Sequence, residues 1–92
     1  MEDNFNKHIG KKLRFRRLEL GLNQTKVGEA LGFSFQQIQK YEKGTNAVSS
    51  LGLLRLANFF KVPITYFYEG YSEYQIPKEP IVITVKETVN EV

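Results

Sequence analysis

The sequence predicts an all-α domain of five helices, followed by one short β-strand near its C-terminal end. Three observations support this fold class. Apolar residues recur at the three- and four-residue spacing of amphipathic helices through the first two thirds of the chain. Glycines divide that region into short segments, as expected where helices end in a left-handed residue. Residues 81–85, Ile-Val-Ile-Thr-Val, are β-branched throughout and favour a strand.

Helix 1 is predicted to begin near Asn6 and to end at Gly21. Its apolar positions are Ile9, Leu13 and Leu20. Helix 2 is short and is expected from Gln24 to about Leu31, with Asn23 as its N-cap and Gly32 at its end. Its apolar positions are Val27, Ala30 and Leu31. A helix of this length is not stable alone and must pack on its neighbours.

Helix 3 is predicted over Phe35 to Lys43, between an N-cap at Ser34 and a terminating Gly44. Its inward residues are Ile38 and Tyr41. Helix 4 is expected from about Ser50 to Phe60 after a polar loop. Its apolar stripe consists of Leu53, Leu56, Ala57 and Phe60.

A short helix 5 is predicted between Pro63 and Gly70, because proline fits the first turn of a helix. Residues 1–70 are therefore expected to form one domain, and residues 71–92 a C-terminal extension with a disordered polar end. The predicted strand, Ile81 to Val85, has two possible partners. It can pair with residues 71–76 in a hairpin, or with the same strand of a second subunit. The second option would make Ile81, Ile83 and Val85 dimerisation residues.

Composition excludes several classes of function. The chain has no cysteine and one histidine, His8, so disulfides, thiolate metal sites and histidine-rich metal clusters are excluded. We find no catalytic constellation, and therefore predict neither an enzyme nor a cofactor. There is no apolar run long enough to span a membrane and no signal peptide, which predicts a cytoplasmic protein.

Charge is distributed unevenly along the chain. Residues 1–61 contain 11 Lys and Arg against 5 Asp and Glu, whereas residues 62–92 contain 2 against 5. A basic front with an acidic tail is compatible with a front that contacts a polyanion, and equally with a solvated charged surface. His8 is expected to be exposed. The tyrosines near the acidic tail are expected in core or dimer packing, not in base stacking. These tyrosines are Tyr66, Tyr68, Tyr71 and Tyr74.

Helices 2 and 3 are joined by a three-residue turn, Gly32-Phe33-Ser34. A tight turn of this kind makes two helices cross steeply, as in the bihelical unit that places its second helix in the major groove of DNA. The segment GLNQTKVGEALGFSFQQIQKYEKG resembles the helix-turn-helix of Cro/C1-type (XRE family) repressors. Its marks, in register, are Arg17, Leu22-Asn23-Gln24, Gly32, Ile38, Tyr41-Glu42-x-Gly44 and Leu56-Ala57-x-x-Phe60-x-Val62.

The resemblance covers about Ile9 to Gly70 and implies a compact, lambda-repressor-like fold of five helices. It also implies roles for individual residues. Positions expected to contact base edges are Phe35, Gln36, Gln37 and Lys40. Positions expected to contact the DNA backbone are Asn23, Gln24, Lys43 and Asn46. Arg17 and Glu42 are expected to form a structural ion pair. Phe35 departs from the polar residue common in phage repressors, and a core or dimer role remains open for it.

The expected function is sequence-specific binding of double-stranded DNA by a homodimeric transcriptional regulator, a repressor acting on a palindromic operator. The alternative is an antitoxin or another interaction module whose C-terminal extension binds a protein partner. Glutamine can form two hydrogen bonds with adenine, and lysine can donate to guanine, which supports the first interpretation.

Overall fold

The computed structural model describes residues 2–76 and contains four α-helices in that range. They are α1 (Glu2–Glu19), α2 (Gln24–Leu31), α3 (Phe35–Lys43) and α4 (Ser50–Phe60), followed by a 3-10 helix at Ile64–Phe67. Within this range no helix is both long and apolar enough to cross a lipid bilayer. Helix α1 begins four residues before its predicted start, and the bounds of the other three helices agree with the sequence pattern.

The prediction of five helices with a C-terminal β-strand is wrong. The segment after Pro63 forms only a 3-10 helix of four residues, and residues 2–76 contain no strand. A short segment gains little from α-helix formation, because the first turn fixes several residues for one hydrogen bond. The predicted strand and its dimer contacts through Ile81, Ile83 and Val85 lie outside the described residues.

The hydrophobic core lies where the four α-helices and the 3-10 helix meet. Its fully buried large side chains are Leu13, Val27, Ile38, Leu56, Phe60 and Phe67. The predicted inward faces of α3 and α4 are therefore correct. Leu20 and Ala30, two of the apolar positions in the sequence pattern, are exposed. Leu20 already follows the last residue of α1.

Local hydrogen bonds explain why the helices begin and end where they do. The side chains of Asn23, Ser34 and Ser49 each cap a helix by accepting a hydrogen bond from the backbone N–H three residues later. Gly32 and Gly44 end α2 and α3 with φ values of 76° and 78°, in the left-handed region that glycine tolerates. These caps fix the length of the two short helices and of the turn between them.

The turn between α2 and α3 lies against α2 itself. A Cβ atom added to Gly28 would be 2.5 Å from the carbonyl oxygen of Phe33, so only glycine allows the turn to approach so closely. The Phe33 ring packs edge-on against Tyr41 of α3, with ring centroids 5.7 Å apart. The angle between α2 and α3 is therefore fixed by packing as well as by the turn.

The tyrosine-rich segment after the 3-10 helix folds back on α1. The Tyr66 hydroxyl donates to the carbonyl oxygen of Lys12 at 3.1 Å. Tyr68 stacks between Phe5 and Tyr74, and the Tyr71 ring contacts Phe5 edge-on at 5.0 Å. Aromatic rings near the acidic end of the described chain thus pack against the start of α1.

His8 lies beneath this segment, although the sequence suggested an exposed position. Its ring is 5.4 Å from Tyr71, and its Nε2 atom is buried with no hydrogen-bond partner among residues 2–76. Burial lowers the pKa of His8 from its ordinary value of 6.5. The backbone of Glu69 raises the pKa in opposition, and the charges of Lys12 and Lys11 lower it.

His8 is expected to make the domain less stable in mild acid. The folded state lowers the pKa of His8, so it binds a proton at this ring less readily than the unfolded chain does. The contribution of neutral His8 to the free energy of unfolding is therefore complete above pH 6.5 and is lost as the pH falls from there through the folded pKa. Thermal melts should show a larger loss between about pH 7 and about pH 5 for the wild type than for His8→Gln. Equal losses in the two proteins would contradict this assignment.

Candidate nucleic-acid interface

Helix α3 presents a polar and basic face on the side opposite its buried residues. Ile38 and Tyr41 lie in the core. Gln36, Lys40 and Lys43 recur at four- and three-residue spacing, so they form one row along the helix, and all three are exposed. No carboxylate belongs to this row. The face therefore combines amide and ammonium groups, which suit the acceptor-rich edges of bases and phosphates.

Phe35 and two further glutamines flank that row. Phe35 is the first residue of α3 and is 43% exposed, so it is not a core residue of the protomer. Gln37 is half-buried on one side of the row. Gln39, also half-buried, lies between Phe35 and Lys43 at four-residue spacing on the other side. Sequence reasoning did not single out Gln39, although this spacing was available to it.

The predicted base-contacting positions therefore lie on the N-terminal and outer part of one helix. The predicted backbone-contacting positions lie at both ends of the helix pair. Asn23 and Gln24 are at the start of α2, and Lys43 and Asn46 are at the end of α3 and in the loop after it. Asn23, Lys43 and Asn46 are exposed, and Gln24 is half-buried.

The start of α2 is suited to an anion. Asn23 uses its side-chain oxygen to accept from the Lys26 backbone N–H at 2.7 Å, and the Val27 N–H bonds to the Asn23 carbonyl. The N–H groups of Gln24 and Thr25 have no partner inside the helix, since the first turn of any helix lacks acceptors. Two backbone donors and the positive end of the helix dipole thus point outward.

Behind the outer face, Arg17 and Glu42 form an ion pair between α1 and α3. The Arg17 Nε and Nη2 atoms donate to the two carboxylate oxygens of Glu42, the latter at 2.9 Å. The side chains are only 9% and 5% exposed, so this pair is sheltered from water. The two residues are 25 positions apart, which places the pair beyond the range of local sequence patterns.

Gln24 and Leu22 join this ion pair to the start of α2. Arg17 Nη1 donates to the Leu22 carbonyl oxygen at 2.9 Å, and Gln24 Nε2 donates to Glu42 Oε1 at 3.1 Å. The network ties the end of α1, the start of α2 and the end of α3 to one carboxylate. Its effect is to hold the outer face of α3 at a fixed position relative to the first turn of α2.

Arg16 has a structural role that the sequence did not suggest. Its Nε and Nη2 atoms donate to the Phe60 carbonyl oxygen at 3.1 and 2.9 Å, where α4 ends. Its Nη1 atom also contacts the exposed carboxylate of Glu19. Arg16 therefore joins α1 to the end of α4 through the Phe60 carbonyl. The only sequence signal was a cation near the apolar stripe of α1.

The described part of the chain offers no group of three or more His, Cys, Asp or Glu side chains that could hold a metal ion. Its chemistry is that of hydrogen-bond donors and cations on a rigid helix pair.

A comparison with protein families matches residues 13–67 to a helix-turn-helix family model (HTH_3). An uncharacterized HTH-type transcriptional regulator of Sinorhizobium medicae (strain WSM419) is 50% identical over 62 residues, which cover 67% of this chain and 45% of the relative. An uncharacterized transcriptional regulator in the ATPase CF(0) region of Rhodospirillum rubrum is 46% identical over 61 residues, covering 66% and 56%. The chain thus spans about half the length of these relatives.

Among solved structures, the DNA-binding domain of BldD is similar to this chain, with a TM-score of 0.66 and 32% sequence identity. The match covers 73% of this chain and 97% of that domain. The resemblance seen in the sequence and the arrangement of α2 and α3 therefore lead to the same group of proteins.

Proposed function

The chain belongs to the helix-turn-helix family of Cro/C1-type transcriptional regulators, and we propose that it represses transcription by binding a palindromic operator as a homodimer through α3. The observation that carries the proposal is the exposed row of Gln36, Lys40 and Lys43 on a helix whose opposite side is buried. The family is one of DNA-binding regulators and not a class of enzymes.

In this proposal α3 lies in the major groove with its N-terminal end foremost. Gln36 and Gln37 donate to and accept from base edges, with adenine as the preferred partner. Lys40 donates to a guanine, and Phe35 packs against a thymine methyl group. The exposure of Phe35 supports a contact outside the protomer, because burying this ring against DNA removes apolar surface from water.

The DNA backbone is held at the two ends of the helix pair. Asn23, Gln24 and the free N–H groups of the first turn of α2 bind one phosphate. Lys43 and Asn46 bind phosphates on the other side of α3. Gln24 is also bonded to Glu42, so a phosphate contact at Gln24 is coupled to the position of α3.

The size of the recognition helix supports a homodimer. Helix α3 has nine residues, which corresponds to about 13 Å of length, so it contacts only a few base pairs. Two copies related by a two-fold axis would contact two half-sites about 34 Å apart, one turn of DNA. This arrangement supplies the specificity that one short helix lacks.

The proposal is tested by selecting bound duplexes from a random-sequence pool. We expect an inverted repeat whose half-sites are about 10 base pairs apart, centre to centre. A reporter carrying the selected site over its promoter should be transcribed less when the protein is present. Recovery of sequences with no shared motif, or no retention of DNA at all, would refute sequence-specific binding.

Gln36→Ala is expected to weaken binding to the selected site by roughly 1–3 kcal/mol and to relax the preference at one base pair. Lys43→Ala is its control on the same exposed row, and should weaken the selected site and a mixed-sequence duplex about equally. Titrations of both variants on both duplexes measure this difference. If Gln36→Ala lowered both affinities by one factor, its assignment to a base edge would be wrong.

A further inference from the structure

Helix α1 carries an unusual set of charges. Between Asn4 and Leu18 it contains six Lys and Arg residues and no Asp or Glu. Three of these cations are engaged inside the protein. Arg17 pairs with Glu42, Arg16 holds the Phe60 carbonyl, and the Lys12 ammonium lies 4.2 Å from the centre of the Tyr66 ring.

The other three cations are Lys7, Lys11 and Arg14, which we name the α1 basic row. All three are exposed, and none has a hydrogen bond or ion pair among residues 4–76, the range whose side chains are described. Their four- and three-residue spacing places them within about 60° of one another around the helix. The buried residues Ile9 and Leu13 lie on another side of the same helix.

This arrangement costs the protein stability. Like charges at this spacing repel one another along a helix. A carboxylate at an intervening position would remove the repulsion, and α1 has none there. A row that faces only water can tolerate this repulsion, but water gives no reason for three cations without a carboxylate. A polyanion bound along the row would offset the repulsion.

The α1 basic row begins where the basic face of α3 ends. Gly44 directly follows Lys43, and a Cβ atom added to Gly44 would be 2.7–2.8 Å from the Cγ, Cα and N atoms of Lys7. A Cβ atom on Gly10 would likewise be 2.4 Å from the Tyr41 carbonyl oxygen. The middle of α1 thus packs against the last turn of α3, and the first residue of the α1 basic row lies beside the glycine that follows Lys43.

We propose that the α1 basic row is a second contact with duplex DNA, which binds sugar–phosphate backbone adjoining the contacts of Lys43. The row is about 10 Å long, from seven residues at about 1.5 Å each. DNA carries one negative charge per about 1.7 Å of its axis, so several phosphates lie within such a length. The contact adds affinity without sequence information.

This inference rests on the proposed function, since it extends the surface that α3 presents to DNA. The test removes two charges of the row in the full chain with Lys7→Gln/Arg14→Gln. The matched control, Arg55→Gln/Lys61→Asn, removes two exposed cations from α4 and its end. Asparagine is chosen at Lys61 because that residue has a φ of 58°.

Affinity is measured over a series of salt concentrations on the selected duplex and on a mixed-sequence duplex of equal length. For Lys7→Gln/Arg14→Gln we expect the salt slope to fall by about 1.8 on both duplexes, with an unchanged preference between them. The control should keep most of the wild-type slope. Circular dichroism melts of both variants show whether each remains folded.

If Lys7→Gln/Arg14→Gln and Arg55→Gln/Lys61→Asn reduced the salt slope equally, the proposal would be overturned. The slope would then depend on the net charge of the protein and not on the position of the α1 basic row. A wild-type slope in Lys7→Gln/Arg14→Gln would overturn it as well. Failure of the proposed function looks different, since the unmodified protein would then show no preference for any selected duplex.

Discussion

Replacing Arg17 by Ala is expected to lower the free energy of unfolding by about 3–5 kcal/mol, a large part of the stability of a small domain. The substitution leaves the carboxylate of Glu42 without its partner, in a place where its side chain is 5% exposed. It also removes the hydrogen bond to the Leu22 carbonyl that joins α1 to the start of α2. Urea denaturation of the two proteins measures the change.

Arg16→Ala provides the matched control, as the same substitution one residue earlier. Arg16 donates two hydrogen bonds to one carbonyl oxygen, whereas Arg17 donates two to a buried carboxylate; Arg16 is partly exposed, and its own carboxylate partner, Glu19, is in solvent. Its loss should cost about 1 kcal/mol. A variant Arg17→Ala that melts like wild type but fails to bind DNA would contradict the structural role and place Arg17 on the DNA.

The parts of the fold that the sequence predicted are those with local causes. Asn23 and Ser34 cap helices through bonds to residues three positions away. Gly32 and Gly44 end helices through their own φ angles. Each signal is contained in a few consecutive residues, so the lengths of α2 and α3 and the turn between them followed from the sequence alone.

The errors arose where distant contacts decide the structure. Pro63 and Gly70 were interpreted as the two ends of a helix, a pattern with a sound local basis. In the structure, the Tyr66 hydroxyl donates to the Lys12 carbonyl on α1, while the next side chain, Phe67, is buried in the core. Two consecutive side chains must therefore point to different parts of the protein. A tight 3-10 turn meets both requirements. His8 was placed in solvent for a similar reason, since Tyr71 is far from it in sequence.

The candidate interface was only partly accessible to sequence reasoning. The resemblance supplied the positions on α3 and at the start of α2, and the Arg17–Glu42 assignment came from it as well. Periodicity alone would have shown that Gln36, Lys40 and Lys43 share a row. It could not show that Gln24 donates to Glu42, because that bond depends on how α2 and α3 cross.

Gly10 was not singled out from the sequence, although a glycine within a helical pattern is a signal of close packing. Glycine costs about 1 kcal/mol relative to alanine inside a helix, so its presence there needs another cause. The cause is the contact between α1 and α3. A Cβ atom on Gly10 would lie 2.4 Å and 2.5 Å from the carbonyl oxygens of Tyr41 and Glu42.

Gly10→Ala is therefore expected to destabilise the protein, by about 3 kcal/mol, despite the better helix propensity of alanine. Two backbone carbonyl groups cannot move aside as a side chain can, so α1 must shift away from α3. That shift would also strain the Arg17–Glu42 pair and separate Lys7 from the end of α3, so DNA affinity should fall together with stability. Thermal melts and DNA titrations of the same samples measure both effects.

Gly52→Ala is the control, because it makes the same substitution inside α4. There the added Cβ atom would meet the side chains of Val48 and Ser49, at 2.9 and 3.2 Å. Its three nearest atoms all belong to side chains and not to the backbone. Turning the Ser49 hydroxyl away would weaken the N-cap of α4 and cost about 1 kcal/mol, so Gly52→Ala should still destabilise less than Gly10→Ala. If Gly10→Ala were as stable as wild type, the close approach of α1 to α3 would not be rigid, and the placement of the α1 basic row beside the end of α3 would lose its structural basis.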